Sequence, residues 1–153
     1  MSLQRSKKNI SPRGLLARSI ICFLIGVGLL CGSYVACHRN TQEGEIVKVL
    51  KCREAALSKK DIDLYMTCIS HKYSDKGKTY ESIKREVSQL FKMFCKIQLN
   101  VIKRHVVFDE DFATVIQSFV LSFKTSNGWV SRKGKELLVF KKEKSGWKII
   151  KGL

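Results

Sequence analysis

The stretch "KIQLNVIKRHVVF", Lys96–Phe108, and the stretch "FATVIQSFVLSFK", Phe112–Lys124, both alternate apolar with polar residues. A period of two places successive side chains on opposite faces of a β-strand. If Glu110 centres the "DED" turn between them, Phe108 faces Phe112, and Ile97, Leu99 and Val101 lie opposite Phe123, Leu121 and Phe119. A slip of one residue would send those two apolar sets to different faces, so the pattern specifies the register. The same face then carries Lys103 opposite Gln117 and His105 opposite Val115.

Two further strands follow at Trp129–Lys142 and Trp147–Leu153, joined by "TSNG" and "KSG". Asn127-Gly128 is a strong hairpin signal. A two-residue loop there adds Leu138 and Phe140 to the shared face, with Glu136 beside them. Upstream, the period changes. Over Glu43–Ser58, Ile46, Val49, Leu50 and Leu57 fall on one helical stripe. "KKDIDLYMTCIS" restarts a short helix with Asp61 as its N-cap. "HKYSDKGKTY" is a polar turn centred on Gly77, and Thr79 caps a third helix that places Ile83, Val87, Leu90, Phe91 and Phe94 on one side. Helices first and an antiparallel meander after them predict an α+β domain: three N-terminal helices packed on a curved four-stranded antiparallel sheet.

The phrases "ALSKKDIDLYMTCISHKYSDKG" and "GKELLVFKKEKSGWKIIKGL", either side of the long third helix, resemble the nuclear transport factor 2-like (SnoaL-like, cystatin-like α+β) superfamily over residues 43–153. That resemblance implies a cone, a curved sheet wrapped around helices and often enclosing a pocket. The superfamily hosts enzymes, ligand carriers and domains of no known chemistry, so fold alone does not choose among them. In such a cone the concave wall is apolar, with Lys103, His105, Gln117 and Glu136 as its polar members and Tyr73 and Tyr80 reaching its mouth. These groups either orient a small apolar ligand or lie where the sheet runs past the helices into water.

Ketosteroid isomerase and its relatives in this superfamily use a catalytic Asp with a second acid and a Tyr. By that resemblance Asp75, after Tyr73, is the weak candidate for a base. Lys72, Lys76 and Lys78 surround it and favour the ionised carboxylate, whereas a base working near neutrality needs the opposite. Neither long strand contains an acid, so the second carboxylate would have to be Glu136. A non-enzymatic binding or interaction domain is therefore the leading expectation. A small-molecule isomerase, dehydratase or hydrolase using Asp75 with Tyr73 or His105 is the alternative. His38, His71 and His105 are scattered and no Cys-x-x-Cys pair occurs, so neither metal nor cofactor is expected. Nucleophile-elbow and phosphate-loop motifs are absent.

"SIICFLIGVGLLCGSYVAC", Ser19–Cys37, carries no charge and follows a basic segment, residues 1–18, with Arg5, Lys7, Lys8, Arg13 and Arg18. As a helix it would be about 28 Å long, close to the hydrocarbon thickness of a bilayer. The charge bias leaves the N-terminus in the cytoplasm. "SYVAC" resembles the lipobox of bacterial lipoproteins: Val35 and Ala36 suit it, Tyr34 stands where leucine is usual, and Cys37 would receive the lipid. An uncleaved transmembrane segment and a lipoprotein signal both stay open. Either one expects the domain, residues 43–153, on the non-cytoplasmic side of a bacterial cell envelope.

The chain has 153 residues and a net charge of +16, and from Gln42 onward 23 Lys or Arg outnumber 13 Asp or Glu. Export and the lack of aromatics interleaved with lysines argue against nucleic acid. Anionic lipid head groups or an acidic envelope polymer suit a tethered basic domain better. The layout of short tail, span and domain also resembles the bitopic component of type IV secretion systems, so a scaffold subunit binding an envelope protein is a third expectation. The sequence leaves a homodimer open. Of the domain's Cys52, Cys68 and Cys95, buried thiols are the default, with one disulfide, Cys68–Cys95, open in an oxidising compartment.

Overall fold

A stripe of Ile46, Leu50, Arg53 and Leu57 lies buried along helix α1, residues 41–59, in the computed structural model, which describes residues 41–153. The basic segment, the uncharged stretch and Cys37 lie outside the described residues. After α1, Asp61 caps helix α2 (Ile62–Thr67) by accepting the Leu64 N–H at 2.9 Å. A small hairpin, β1 (Ser74–Asp75) and β2 (Lys78–Thr79), turns at Lys76 and Gly77, both at positive φ. Helix α3 (Tyr80–Met93) opens with a capping box. The Thr79 N–H donates to Ser82 Oγ at 2.8 Å, and the Ser82 N–H returns a bond to Thr79 Oγ1 at 3.4 Å.

Four strands complete the domain: β3 (Lys96–Asp109), β4 (Phe112–Thr125), β5 (Gly128–Glu143) and β6 (Gly146–Lys151), antiparallel in the order β3-β4-β5-β6. Ile97, Leu99 and Val101 pair with Phe123, Leu121 and Phe119, the register read from their alternation. Beyond Val101 that register fails. A bulge between Val101 and Lys103 shifts the pairing, so that Arg104 faces Gln117, His105 faces Ile116 and Asp109 faces Phe112. The first turn is therefore Glu110-Asp111, not a turn centred on Glu110, and Glu110 takes a left-handed φ of 49°. The physical cause lies in the side chains. Unbroken alternation would turn Lys103 and His105 inward. One extra residue turns Val106 and Phe108 inward instead and leaves both polar side chains outside. Ile102, 64 % exposed at the bulge, is what that exchange leaves in water.

The second hairpin pairs Thr125 with Gly128, so its loop is Ser126-Asn127, one residue earlier than the Asn127-Gly128 signal suggests. Gly128 takes φ 114°, where a side chain would be strained. Both placements give the strand the same parity, and Glu136, Leu138 and Phe140 face inward either way.

Val115, Leu138, Phe140, Trp147 and Ile149 meet Ile46, Leu50, Leu57, Tyr65 and Ile83 in one core. That core lies entirely within the compact unit Gln42–Leu153, which can fold on its own contacts. The edge strand β6 is covered by the chain after α2: the Ser70 N–H donates to Ile149 O and the Ile149 N–H to Cys68 O, both at 2.9 Å. Among the described residues no helix is long and apolar enough to cross a membrane.

The Cys68–Cys95 bridge is not formed. Cys52, Cys68 and Cys95 are free thiols; Cys68 is buried with its Sγ 3.5 Å from Val49 O, while Cys95 is exposed at the end of α3. Burial, reinforced by neighbouring Cys52, pushes the Cys68 thiol up from 9.0 to about 12. Iodoacetamide at pH 8, followed by peptide mapping, should label Cys95 first and Cys68 only on unfolding, since the thiolate is the nucleophile. The same shift carries a stability consequence. Above pH 9 the unfolded chain ionises this thiol and the folded chain does not, so stability falls as pH rises from 9 towards 12. Cys68→Ala should flatten that decline in a series of thermal melts.

Candidate functional site

The inner face of the sheet and helices α1, α2 and α3 leave a cavity of about 250 Å³. Its walls are apolar: Leu57, Ile83, Val87 and Leu90 from the helices, and Leu99, Phe119 and Leu121 from the sheet. Gly134 sets the place of Phe119, its partner across β4 and β5. A Cβ on Gly134 would stand 2.6 Å from Phe119 Cζ, so the missing side chain is the space the ring occupies.

Polar groups enter this wall as one connected chain. Arg53, only 7 % exposed, donates to both oxygens of Glu136, at 2.8 and 3.1 Å, and from Nε to the Tyr65 hydroxyl at 3.3 Å. Gln117 Nε2 donates to Glu136 Oε1 at 2.6 Å; Arg104 Nε donates to Gln117 Oε1 at 2.8 Å, and Arg104 Nη2 to Glu54 Oε1 at 2.7 Å. Burial would lower the pKa of Arg53, but Tyr65 and Glu136 outweigh it and hold the guanidinium charged. Among these groups Arg53, Tyr65 and Glu136 line the cavity. The two-oxygen fork explains why a charge is tolerated there, since a buried ion pair needs its remaining hydrogen bonds filled.

Glu86, the other carboxylate lining the cavity, is paired with Lys78 at 2.7 Å. The Tyr65 hydroxyl accepts from Arg53, and its own proton has no acceptor among the described residues. The cavity therefore offers one hydroxyl donor, aligned by a buried cation, in an apolar wall. Among the described residues no three His, Cys, Asp or Glu side chains gather closely enough to hold a metal.

The residues singled out from the sequence are distributed differently. Glu136 lines the cavity; Gln117 is buried behind it, holding Glu136. Lys103 and His105 do not reach the cavity, because the bulge turns them to the outer face and puts Arg104 in their place. Tyr73 is buried, and its hydroxyl accepts the Leu153 N–H at 2.8 Å and donates to Leu153 O at 3.2 Å. Burial pushes its phenol up. Asp75 accepts the Gly152 N–H at 3.1 Å. Tyr73 and Asp75 thus grip Gly152 and Leu153, which line the cavity, and they do not line it themselves. Gly152 has φ 101°, and a Cβ there would run into Leu137 O, so only glycine lets the chain bend back over the cavity. Tyr80 stacks on His71, centroids 4.3 Å apart, beside a separate polar groove with Lys84 and Lys148.

Arg53, Tyr65 and Arg104 went unread in the sequence, though a trace of two is visible. Arg53 sits three residues after Leu50 and four before Leu57, on the buried stripe, and Arg104 follows the point where strand alternation breaks.

A helix-backed meander closed over an apolar cavity defines the architecture. The fold is that of the nuclear transport factor 2-like proteins. A protein of this superfamily from Salmonella enterica serovar Typhimurium matches with a TM-score of 0.65 at 17% identity, over 73% of this chain and 88% of its own. A nuclear transport factor 2-like protein with a cystatin-like fold from Novosphingobium aromaticivorans matches at 0.64 and 14%, covering 77% and 83%. A family member from Streptomyces avermitilis, proposed to be a dehydratase, matches at 0.67 and 14%, covering 74% and 94%. At such identities the likeness is one of fold. No protein-family model and no curated sequence matches the chain.

Proposed function

We propose that this is a non-enzymatic binding domain, held at a bacterial cell envelope, that takes a small, mostly apolar molecule into its nuclear transport factor 2-like cone. The observation that carries this reading is the state of the cavity's carboxylates. Both oxygens of Glu136 are bonded by Arg53 and one also by Gln117, and Glu86 is held by Lys78, so each carboxylate lining the cavity already has a cationic partner. Asp75, the candidate base, is used by Gly152. What remains is a donor hydroxyl, Tyr65, facing apolar walls, an arrangement suited to holding a carbonyl or ether oxygen at one point. The volume limits the guest: a roughly 150 Å³ apolar cavity accepts benzene, so about 250 Å³ suits a monocyclic or small bicyclic molecule.

Cyclohexanone and acetophenone are suitable probes. Either should raise the melting temperature of residues 42–153 and bind at least tenfold more weakly to Tyr65→Phe, while Gly134→Leu, which pushes Phe119 into the cavity, should abolish binding. Equal binding by all three proteins would place the guest elsewhere, and conversion of a bound ketone would make the domain an enzyme. The envelope tether is supported by the uncharged stretch 19–37 behind five cations. Intact mass of the membrane-extracted protein tests it: a chain starting at Cys37 with acyl groups marks a lipoprotein and full length marks a span. Recovery in the water-soluble fraction would refute both.

A further inference from the structure

The outer face of the sheet is not covered by any described part of the chain, and its side chains are of two kinds. Across its centre lie Val107, Ile116, Leu137 and, at the hairpin, Phe112. Ile116 and Leu137 are direct cross-strand partners, 47 % and 51 % exposed. Around them stand the exposed Lys103, Lys124, Lys133, Lys135, Lys141 and Lys151. The acids here are Asp109, Glu110 and Asp111, exposed at the hairpin beside Phe112, and Glu143, which accepts from Ser70 at 2.6 Å. An apolar centre with a mostly cationic rim, acidic only at the hairpin end, marks an interaction surface.

We infer that this face docks on an anionic lipid bilayer, with Ile116 and Leu137 entering the head-group boundary, the lysines meeting lipid phosphates and the acidic hairpin end tilted away. Charge complementarity selects that occupant. A second copy would set one lysine rim against another. Nucleic acid fits poorly, because this face has no arginine fork and its aromatics, Phe112 and Trp129, stand at opposite ends of the sheet, roughly 40 Å apart along the strands. Lysine, a point charge on a flexible apolar stem, suits a fluid surface of head groups. The inference rests in part on the tether proposed above, which would bring the domain to a membrane.

Residues 42–153 alone, which contain the whole core, separate the docking from the tether. They should co-sediment with vesicles of 30% phosphatidylglycerol in phosphatidylcholine at least tenfold better than with pure phosphatidylcholine, and release in 0.5 M NaCl. Lys133→Glu with Lys135→Glu and Lys141→Glu should weaken binding about a hundredfold, and Ile116→Asp with Leu137→Asp at least tenfold. Because all five side chains are exposed, each variant should keep the wild-type circular dichroism spectrum, the two facing aspartates lowering only the melting transition. As a control, Lys51→Glu with Lys59→Glu and Lys84→Glu, on the helices, should bind as wild type. Any of four results would overturn the inference: equal binding to neutral vesicles, an equal loss in the helix variant, a dimer in light scattering that Ile116→Asp dissolves, or tighter binding to duplex DNA than to vesicles. The tether is read separately, from the intact mass of the full chain.

Discussion

Glu136→Ala should lower the stability of the domain by about 3–5 kcal/mol, because it leaves a buried guanidinium without its counter-charge. Arg53 cannot escape by losing its proton, because a guanidinium stays charged at any ordinary pH, and its side chain is 9 % exposed. The chain must either unfold or admit water to the cavity. Urea titration followed by circular dichroism measures the loss. The informative control is Arg53→Met with Glu136→Leu, which removes both charges and keeps most of the volume. That pair should recover most of the stability, short by about 1–3 kcal/mol for the Gln117 amide left without its acceptor. Recovery with loss of ketone binding would separate the two roles of the pair, since Arg53 orients Tyr65. If Glu136→Ala costs less than 1 kcal/mol, the pair is not a structural element of the cone.

Trp147→Ala should cost a similar amount, about 3–5 kcal/mol, by opening a cavity under the edge strand. Trp147 is 2 % exposed, meets Phe108 edge to face at 5.9 Å and donates its indole N–H to Glu45 at 3.1 Å. Through that bond it joins the last strand to the first described helix. Trp147→Phe keeps an aromatic ring in the core and loses the bond and part of the volume, so a loss of about 1–2 kcal/mol is expected. The other tryptophan, Trp129, is 48 % exposed. The blue-shifted part of the emission therefore belongs to Trp147 and should vanish in Trp147→Phe, whose stability is read from circular dichroism melts beside the wild type. Equal stability of Trp147→Ala and wild type would show that the β6 edge contributes little.

Much of the fold was legible because it is written in local periodicities. Ile97, Leu99 and Val101 pair as their alternation demands, since a one-residue slip would bury their polar neighbours. Asp61 and Thr79 cap helices because their side chains satisfy backbone N–H groups within three residues. The inward parity of Glu136, Leu138 and Phe140 survived a one-residue displacement of the loop, because face depends on parity alone. The candidate site was less legible. Lys103 and His105 follow the alternation of their own strand, and the bulge that expels them is a decision made by the whole inner face. Arg53 reads as a break in an apolar stripe until Glu136, 83 residues away, supplies its partner.

By itself, the sequence determined the order of the helices and the long strands, the caps and the register of the first pairing as far as Val101, for each depends on residues a few positions apart or on a simple period. Only the tertiary structure decided which charges are buried, where the bulge falls, and that Tyr73 and Asp75 grip Gly152 and Leu153 while Tyr65 faces the cavity. Those outcomes depend on the free energy of placing a polar group against partners distant in the chain, and no local pattern records that energy.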